Sequence, residues 1–150
     1  MQFSNKLASH YRHMQYCASI KKDDDGYMVT FPDIPNAFTH GDTLEDAKKY
    51  AAEALNGVLA SDFERGFTIP KPKQYTGKYM YRIGVYPHIA LSFALRALRK
   101  KQTQKDVAKH LGISYQAYQR LENPRTCNPT VKTLERIAEV LGKDMKITFS

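Results

Sequence analysis

The chain has no tryptophan, only two cysteines, and no apolar run long enough to cross a bilayer. Each absence narrows what it can be. Cys17 and Cys127 are too few and too far apart for a disulfide framework, so both are expected as reduced thiols. No window approaches the ~18 consecutive apolar residues of a membrane helix. The opening stretch, MQFSNKLASHYRHMQY, lacks the apolar core of a secretory leader. The expectation is a soluble, cytoplasmic protein with no membrane partner. His10, His13, His40, His88 and His110 stand at no metal-ligand spacing with the cysteines, so neither metal nor cofactor is expected. Internal repeats and low-complexity segments are also missing.

What is present is unevenly placed. The 150 residues are 42% hydrophobic, with 10 Tyr and 7 Phe, enough for one medium domain or two small ones. The net charge of +8 divides into +2 over residues 1–13, −1 over 14–86 and +7 over 87–150. A polyanionic partner therefore suits the C-terminal part and not the middle.

Residues 1–13 show no period and read as an N-terminal arm. From Tyr16 the pattern becomes β-like. Tyr16–Ile20 and Tyr27–Phe31 flank Lys22-Asp23-Asp24-Asp25-Gly26, and an Asp-Gly pair between β-prone runs predicts a hairpin. Pro32 and Pro35 end the second strand, and Ala37–His40 makes a short third one closed by Gly41. Thr43 with Asp46 resembles a capping box opening a helix. That helix has an apolar face of Leu44, Ala47, Ala51, Ala54, Leu55, Val58, Leu59 and Phe63. Gly66 stops it, and after Ile69-Pro70-Lys71-Pro72 the run Tyr79–Tyr86 alternates as a fourth strand. The order β-β-β-α-β predicts a small α+β domain over residues 14–86, one helix against a sheet. Tyr75, Tyr79, Tyr81 and Tyr86 interleave with basic residues, but at this spacing cross-strand packing explains them better than RNA binding.

Beyond Pro87 the pattern is helical: Ile89–Arg99, Gln104–Leu111, Tyr115–Glu122 and Val131–Leu141, with Asp144–Phe149 as a short terminal strand. The stretch from Thr103 to Asn123 carries the chemistry. Thr103 and Asp106 cap one helix, Gly112 ends it in the left-handed conformation, and Ser114 caps the next. Val107, Leu111, Tyr118 and Leu121 face inward, and Ala108 is small where the helices cross. This leaves Tyr115, Gln116 and Arg120 outward on the second helix. Gln matches an adenine edge and Arg a guanine edge, each through two hydrogen bonds.

The run resembles the phage-repressor/Cro type of helix-turn-helix, over roughly residues 89–142. That resemblance implies that the second helix enters the major groove of double-stranded DNA. Tyr115, Gln116 and Arg120 are then the base readers, Ser114, Ala117 and Gln119 lie with them on the DNA-binding surface, and Gln104, Asn123 and Arg125 are placed on phosphates. It also implies a buried ion pair between Glu122 and Arg96 or Arg99. The short connection Lys100-Lys101-Gln102 leaves open which arginine supplies it. One such module reads few base pairs, so a dimer or tetramer of the chain is expected on an inverted-repeat operator.

The N-terminal part has its own signature. Gly26-Tyr27-Met28-Val29-Thr30-Phe31-Pro32-Asp33-Ile34-Pro35 is followed by Thr39-His40-Gly41-Asp42-Thr43-Leu44-Glu45-Asp46-Ala47, and later by Pro70 and Pro72. These elements, in this order and spacing, resemble the HicB family of toxin–antitoxin antitoxins. Asp46 stands where that family usually has Glu, and Asn36-Ala37 where it often has Gly-Cys. The resemblance implies a partly degraded RNase H-like fold over residues 14–86 that binds a HicA-type mRNA-cleaving toxin. It implies an antitoxin and not an enzyme, neutralising by direct binding and repressing its operon through residues 87–150. Against a basic partner, the hairpin and strand-edge residues Asp25, Tyr27, Asp33 and Asp42 are the expected contacts. Two alternatives stand beside it. Asp23, Asp24, Asp25, Asp33 and Asp42 are acids that two-metal nuclease chemistry would use, although a hydrated turn and a helix cap explain them more simply. A helix-turn-helix regulator with an N-terminal sensing or dimerisation domain and no toxin is the other.

Overall fold

The computed structural model describes residues 14–149, in two compact units over 14–86 and 87–149. The expected arm over 1–13 lies outside the described residues. In the first unit, β1 (Gln15–Asp23), β2 (Gly26–Thr30), β3 (Phe38–Gly41), α1 (Leu44–Glu64) and β4 (Met80–Gly84) follow in order. The sheet runs β3-β2-β1-β4 and is antiparallel throughout. Register sorts its side chains, because strand neighbours alternate faces. Tyr16, Ala18 and Ile20 are buried with Val29 and Ile83, and α1 packs on the sheet with Ala47, Ala51, Leu55, Leu59 and Phe63 buried.

The hairpin differs in detail from its sequence signal. The turn is Asp24-Asp25, and Gly26 already pairs with Asp23 in the ladder. Glycine is needed at 26 for another reason. Its φ is +149°, and a Cβ there would stand 2.4 Å from the carbonyl oxygen of Gly41. Gly41 is equally tight, since its Cβ would meet the Ala47 amide nitrogen at 2.4 Å. The two glycines thus bring the hairpin, the end of β3 and the first turn of α1 into backbone contact. Thr43 caps that turn by accepting the Asp46 N–H at 3.1 Å.

Two polar side chains fasten the rest. Asn56 is buried on α1, donating to Ala52 O and Gly84 O and accepting the Tyr86 N–H at 2.7 Å. Asp33 holds the long connection over residues 65–79, its two carboxylate oxygens accepting Lys73 N–H at 2.8 Å and Tyr75 O–H at 2.7 Å. That connection carries the chain back so that β4 lies antiparallel to β1. The Asp33 hydrogen bond, then partial burial and the carboxylate's charge, hold the Tyr75 phenol above its ordinary range. A raised pKa contributes stability below the unfolded value, near pH 10, that is lost as pH rises through the folded value. Between pH 9 and 11.5, Tm should fall more steeply for the wild type than for Tyr75→Phe. Equal slopes would remove Tyr75 from the clamp.

The second unit is helical: α2 (Pro87–Arg99), α3 (Gln104–Leu111), α4 (Tyr115–Leu121) and α5 (Val131–Val140). Leu95, Val107, Ala108, Leu111, Tyr118, Cys127 and Ile137 form its buried centre, with Ile113 and Leu121 packed at the margin. The Thr103–Asp106 capping box, Gly112 at φ +70° and the Ser114 cap are all present. The terminal strand expected over Asp144–Phe149 is not formed. Its alternation is genuine, but the helical unit offers no strand edge among its described residues to pair with it.

Candidate DNA-reading face and the acidic end of the sheet

The short step from α3 to α4 orients the reading helix. Gly112 ends α3 with its N–H on Lys109 O and Ala108 O, and the Ser114 hydroxyl accepts the Ala117 N–H at 3.1 Å. Tyr118 is fully buried beneath α4, so Gln116, Ala117, Gln119 and Arg120 are left exposed. Burial first, then the Glu122 carboxylate, raises the Tyr118 phenol pKa, which keeps the ring neutral in the core. The Thr126 hydroxyl donates to Arg120 O at 2.8 Å, tying the end of α4 to the following loop. Asn123 shapes that loop through its side chain, which accepts the Arg125 N–H at 2.9 Å, while Arg125 is exposed.

Glu122 is the buried charge of the unit. Arg99 Nε donates to both of its oxygens, at 2.9 and 3.0 Å, and Gln104 Nε2 donates to one of them at 2.7 Å. The ion pair is therefore made by Arg99, and the short connection is no obstacle, because Lys100 takes a left-handed φ of 54°. Arg99 also reaches Gln102 O at 2.7 Å, which fixes the connection to the pair.

Two of the expected DNA contacts also touch neighbouring side chains. Gln104 donates one of its two amide hydrogens to Glu122. Tyr115, at the start of α4, is half-buried with the Lys105 ammonium 5.4 Å from its ring centroid. Sequence reasoning passed over Lys100, Lys101 and Lys105. With Tyr115 they line an open groove of about 420 Å³ beside the start of α3. The two adjacent lysines in a tight connection were their one visible signal. A cationic groove beside an exposed Gln/Arg face can hold a phosphate chain while the face reads base edges.

In the first unit, three of the four expected partner-binding residues converge. Asp25 is exposed in the hairpin turn, Tyr27 pairs with Gly41, and Asp42 follows directly as an exposed residue. Asp23 joins them, 3.3 Å from His40 Nε2, and its carboxyl is held below the ordinary value chiefly by that contact. This end of the sheet is acidic. Asp33 does not belong to it, because both of its oxygens serve the connection over residues 65–79.

The chain is similar to known proteins in both units. Residues 15–85 match the family model of the HicB-like antitoxin of bacterial toxin–antitoxin systems, and residues 95–147 match a helix-turn-helix model. Antitoxin HicB 1 of Photorhabdus laumondii is 28% identical over 145 residues, 92% of this chain and 88% of that protein. Antitoxin HicB of Escherichia coli K12 is 30% identical over 128 residues, 84% of this chain and 91% of that protein. A solved HicA3 and HicB3 toxin–antitoxin complex is similar at 27% identity and a TM-score of 0.43, covering 49% of this chain and 100% of the matched one. No described helix is long and apolar enough to cross a membrane. With an E. coli relative matched over nine-tenths of its length and both units recognised in order, the chain belongs to the HicB antitoxin family, in a form that carries a helix-turn-helix domain.

Proposed function

We propose that this chain neutralises a HicA-type mRNA-cleaving toxin by direct binding and represses its own operon by reading operator DNA. The observation that carries the reading is the pairing, in one chain, of the antitoxin-family domain with an exposed Gln116–Arg120 face. Residues 14–86 form the toxin-binding domain and 87–150 the DNA-binding domain, acting in the cytoplasm without a cofactor. The sheet order β3-β2-β1-β4, with one helix on it, supports a partly degraded RNase H-like ancestry. Its present work is binding and not catalysis, as the antitoxin relatives suggest.

The toxin contacts are Asp25, Tyr27 and Asp42, with Asp23 beside them. Clustered acids complement a protein whose own substrate is a polyanion. The DNA contacts are Gln116, Ala117, Gln119 and Arg120 at the bases. Tyr115 and Ser114 stand at the start of the same helix, and Gln104, Asn123, Arg125 and the lysine groove lie along the backbone.

The test is a double dissociation in the full chain, co-expressed with its toxin. Asp25→Lys with Asp42→Lys should lose growth rescue and co-purification while keeping operator affinity. Arg120→Ala should keep rescue and lose repression. Loss of both activities from either variant, with the protein folded, would contradict the division of labour.

A further inference from the structure

β3 ends the sheet on one side, and its outer edge is open. Phe38, Thr39, His40 and Gly41 pair with β2, and among the described residues no other backbone hydrogen bond reaches them. An antiparallel strand alternates its bonding, so two of these four residues turn N–H and C=O groups away from β2. Sheet edges are ordinarily guarded by lysine, proline or a bulge. β3 has none of these, and its ladder with β2 is one-to-one throughout. Shortness, at four residues, is the one guard it keeps.

The side chains at this edge are as open as the backbone. Val29 is buried beneath α1, so Met28 and Thr30 stand on the other face with their β3 partners His40 and Phe38. Phe38 is 67% exposed, more than any other large apolar side chain of the α+β unit among the described residues. Met28, 44% exposed, lies diagonally across from it. Acids border the pair on the hairpin side: Asp23 on His40, Asp25 in the turn and Asp42 directly after β3. Lys21, opposite Met28, turns its ammonium toward the Tyr79 ring at 5.7 Å. An apolar centre with a charged rim is the anatomy of a protein–protein contact.

We propose that the toxin adds a strand to the free edge of β3, with Phe38 as its apolar anchor and the three acids as its rim. The inference rests on the toxin-binding reading above and gives it a docking mode. Strand addition draws affinity from main-chain hydrogen bonds and specificity from alternate side chains, here Phe38. Charge selects the occupant. A protein that grips RNA carries cations around its groove, and these complement the rim. A second copy pairing through its own β3 would offer Phe38, Thr39, His40 and Gly41 in return, none of which brings a fixed positive charge to the acids.

The test uses the full-length protein and its HicA-type toxin in a catalytically inactive form. Phe38→Ala should weaken the complex roughly 30-fold or more, as expected for an aromatic anchor. Phe67→Ala, which truncates another exposed aromatic, should change it by less than about threefold. Both variants should keep the circular-dichroism spectrum and operator affinity of the wild type. In amide exchange followed by NMR, the fast amides of β3 should slow by about 100-fold or more in the complex. Those of β4, the opposite edge, should not change. If the wild type binds toxin while Phe38→Ala binds as tightly, or while the β3 amides stay fast, strand addition is overturned and toxin binding stands. β3 amides that slow with protein concentration before toxin is added assign the edge to a second copy and overturn it too. A wild type without affinity for the toxin overturns the toxin-binding reading and the docking mode together.

Discussion

Arg99→Ala is expected to unfold the helix-turn-helix unit at moderate denaturant while leaving the α+β unit intact. Glu122 has a side-chain exposure of 1% and Arg99 of 17%. Removing the guanidinium strips both Arg99 hydrogen bonds from a carboxylate in the core, which still accepts one from Gln104. Breaking a buried ion pair from one side typically costs about 3–5 kcal/mol, because the surviving charge is stranded. That is a large part of the ~5–15 kcal/mol by which an ordinary domain is stable. The converse follows from the same physics. An Arg99→Met, Glu122→Leu double variant removes both charges and should recover much of the loss. Far-UV circular dichroism across a urea titration would follow both. A shift for Arg99→Ala below about 1 kcal/mol would mean that water reaches Glu122.

The helix-turn-helix was legible because its determinants are local. Thr103 and Asp106, Gly112, and Ser114 each act within four residues of the backbone they cap, so spacing alone specifies the geometry. The α+β unit was legible at the level of order and period, and less so at its seams. Asp33 reads as an exposed loop acid until the chain returns 40 residues later to donate Lys73 N–H to it. Asn56 breaks the apolar face of α1, and only the end of β4, 28 residues on, explains it. β1 runs on through Lys21, Lys22 and Asp23 beyond its apolar core, because ladder pairing with Gly26, Tyr27 and Met28 continues where side-chain pattern stops.

The same limit governs the candidate sites. Gln116 and Arg120 could be placed outward from periodicity, since the neighbouring Tyr118 had to be buried. The bond from Gln104 to Glu122 could not be read in the same way, because the two residues lie 18 positions apart. Asp25, Tyr27 and Asp42 are joined by the close approach of Gly26 to Gly41, a contact visible only once β2 and β3 are in register.

Arg120→Ala should weaken operator binding more than any other single change on the exposed face of α4. Losing a bidentate contact to a base costs about 1–3 kcal/mol. A two-fold operator engages the helix twice, so the total is about 2–6 kcal/mol, or roughly 30-fold to 20,000-fold in Kd. The loss should come with relaxed preference at two symmetry-related base pairs. Gln116→Ala should act at the neighbouring position in each half-site. Arg125→Ala or Lys101→Ala should instead weaken every sequence alike and flatten the salt dependence, as expected for a lost phosphate contact. Arg120 is exposed, and the α4 backbone is held by the Thr126 hydroxyl and buried Tyr118, so its truncation should leave folding intact. The measurement is fluorescence anisotropy on the operator and on single-base variants at two salt concentrations, with helical content checked in parallel. Unchanged affinity and an unchanged base preference in a folded Arg120→Ala protein would mean that another surface reads the DNA.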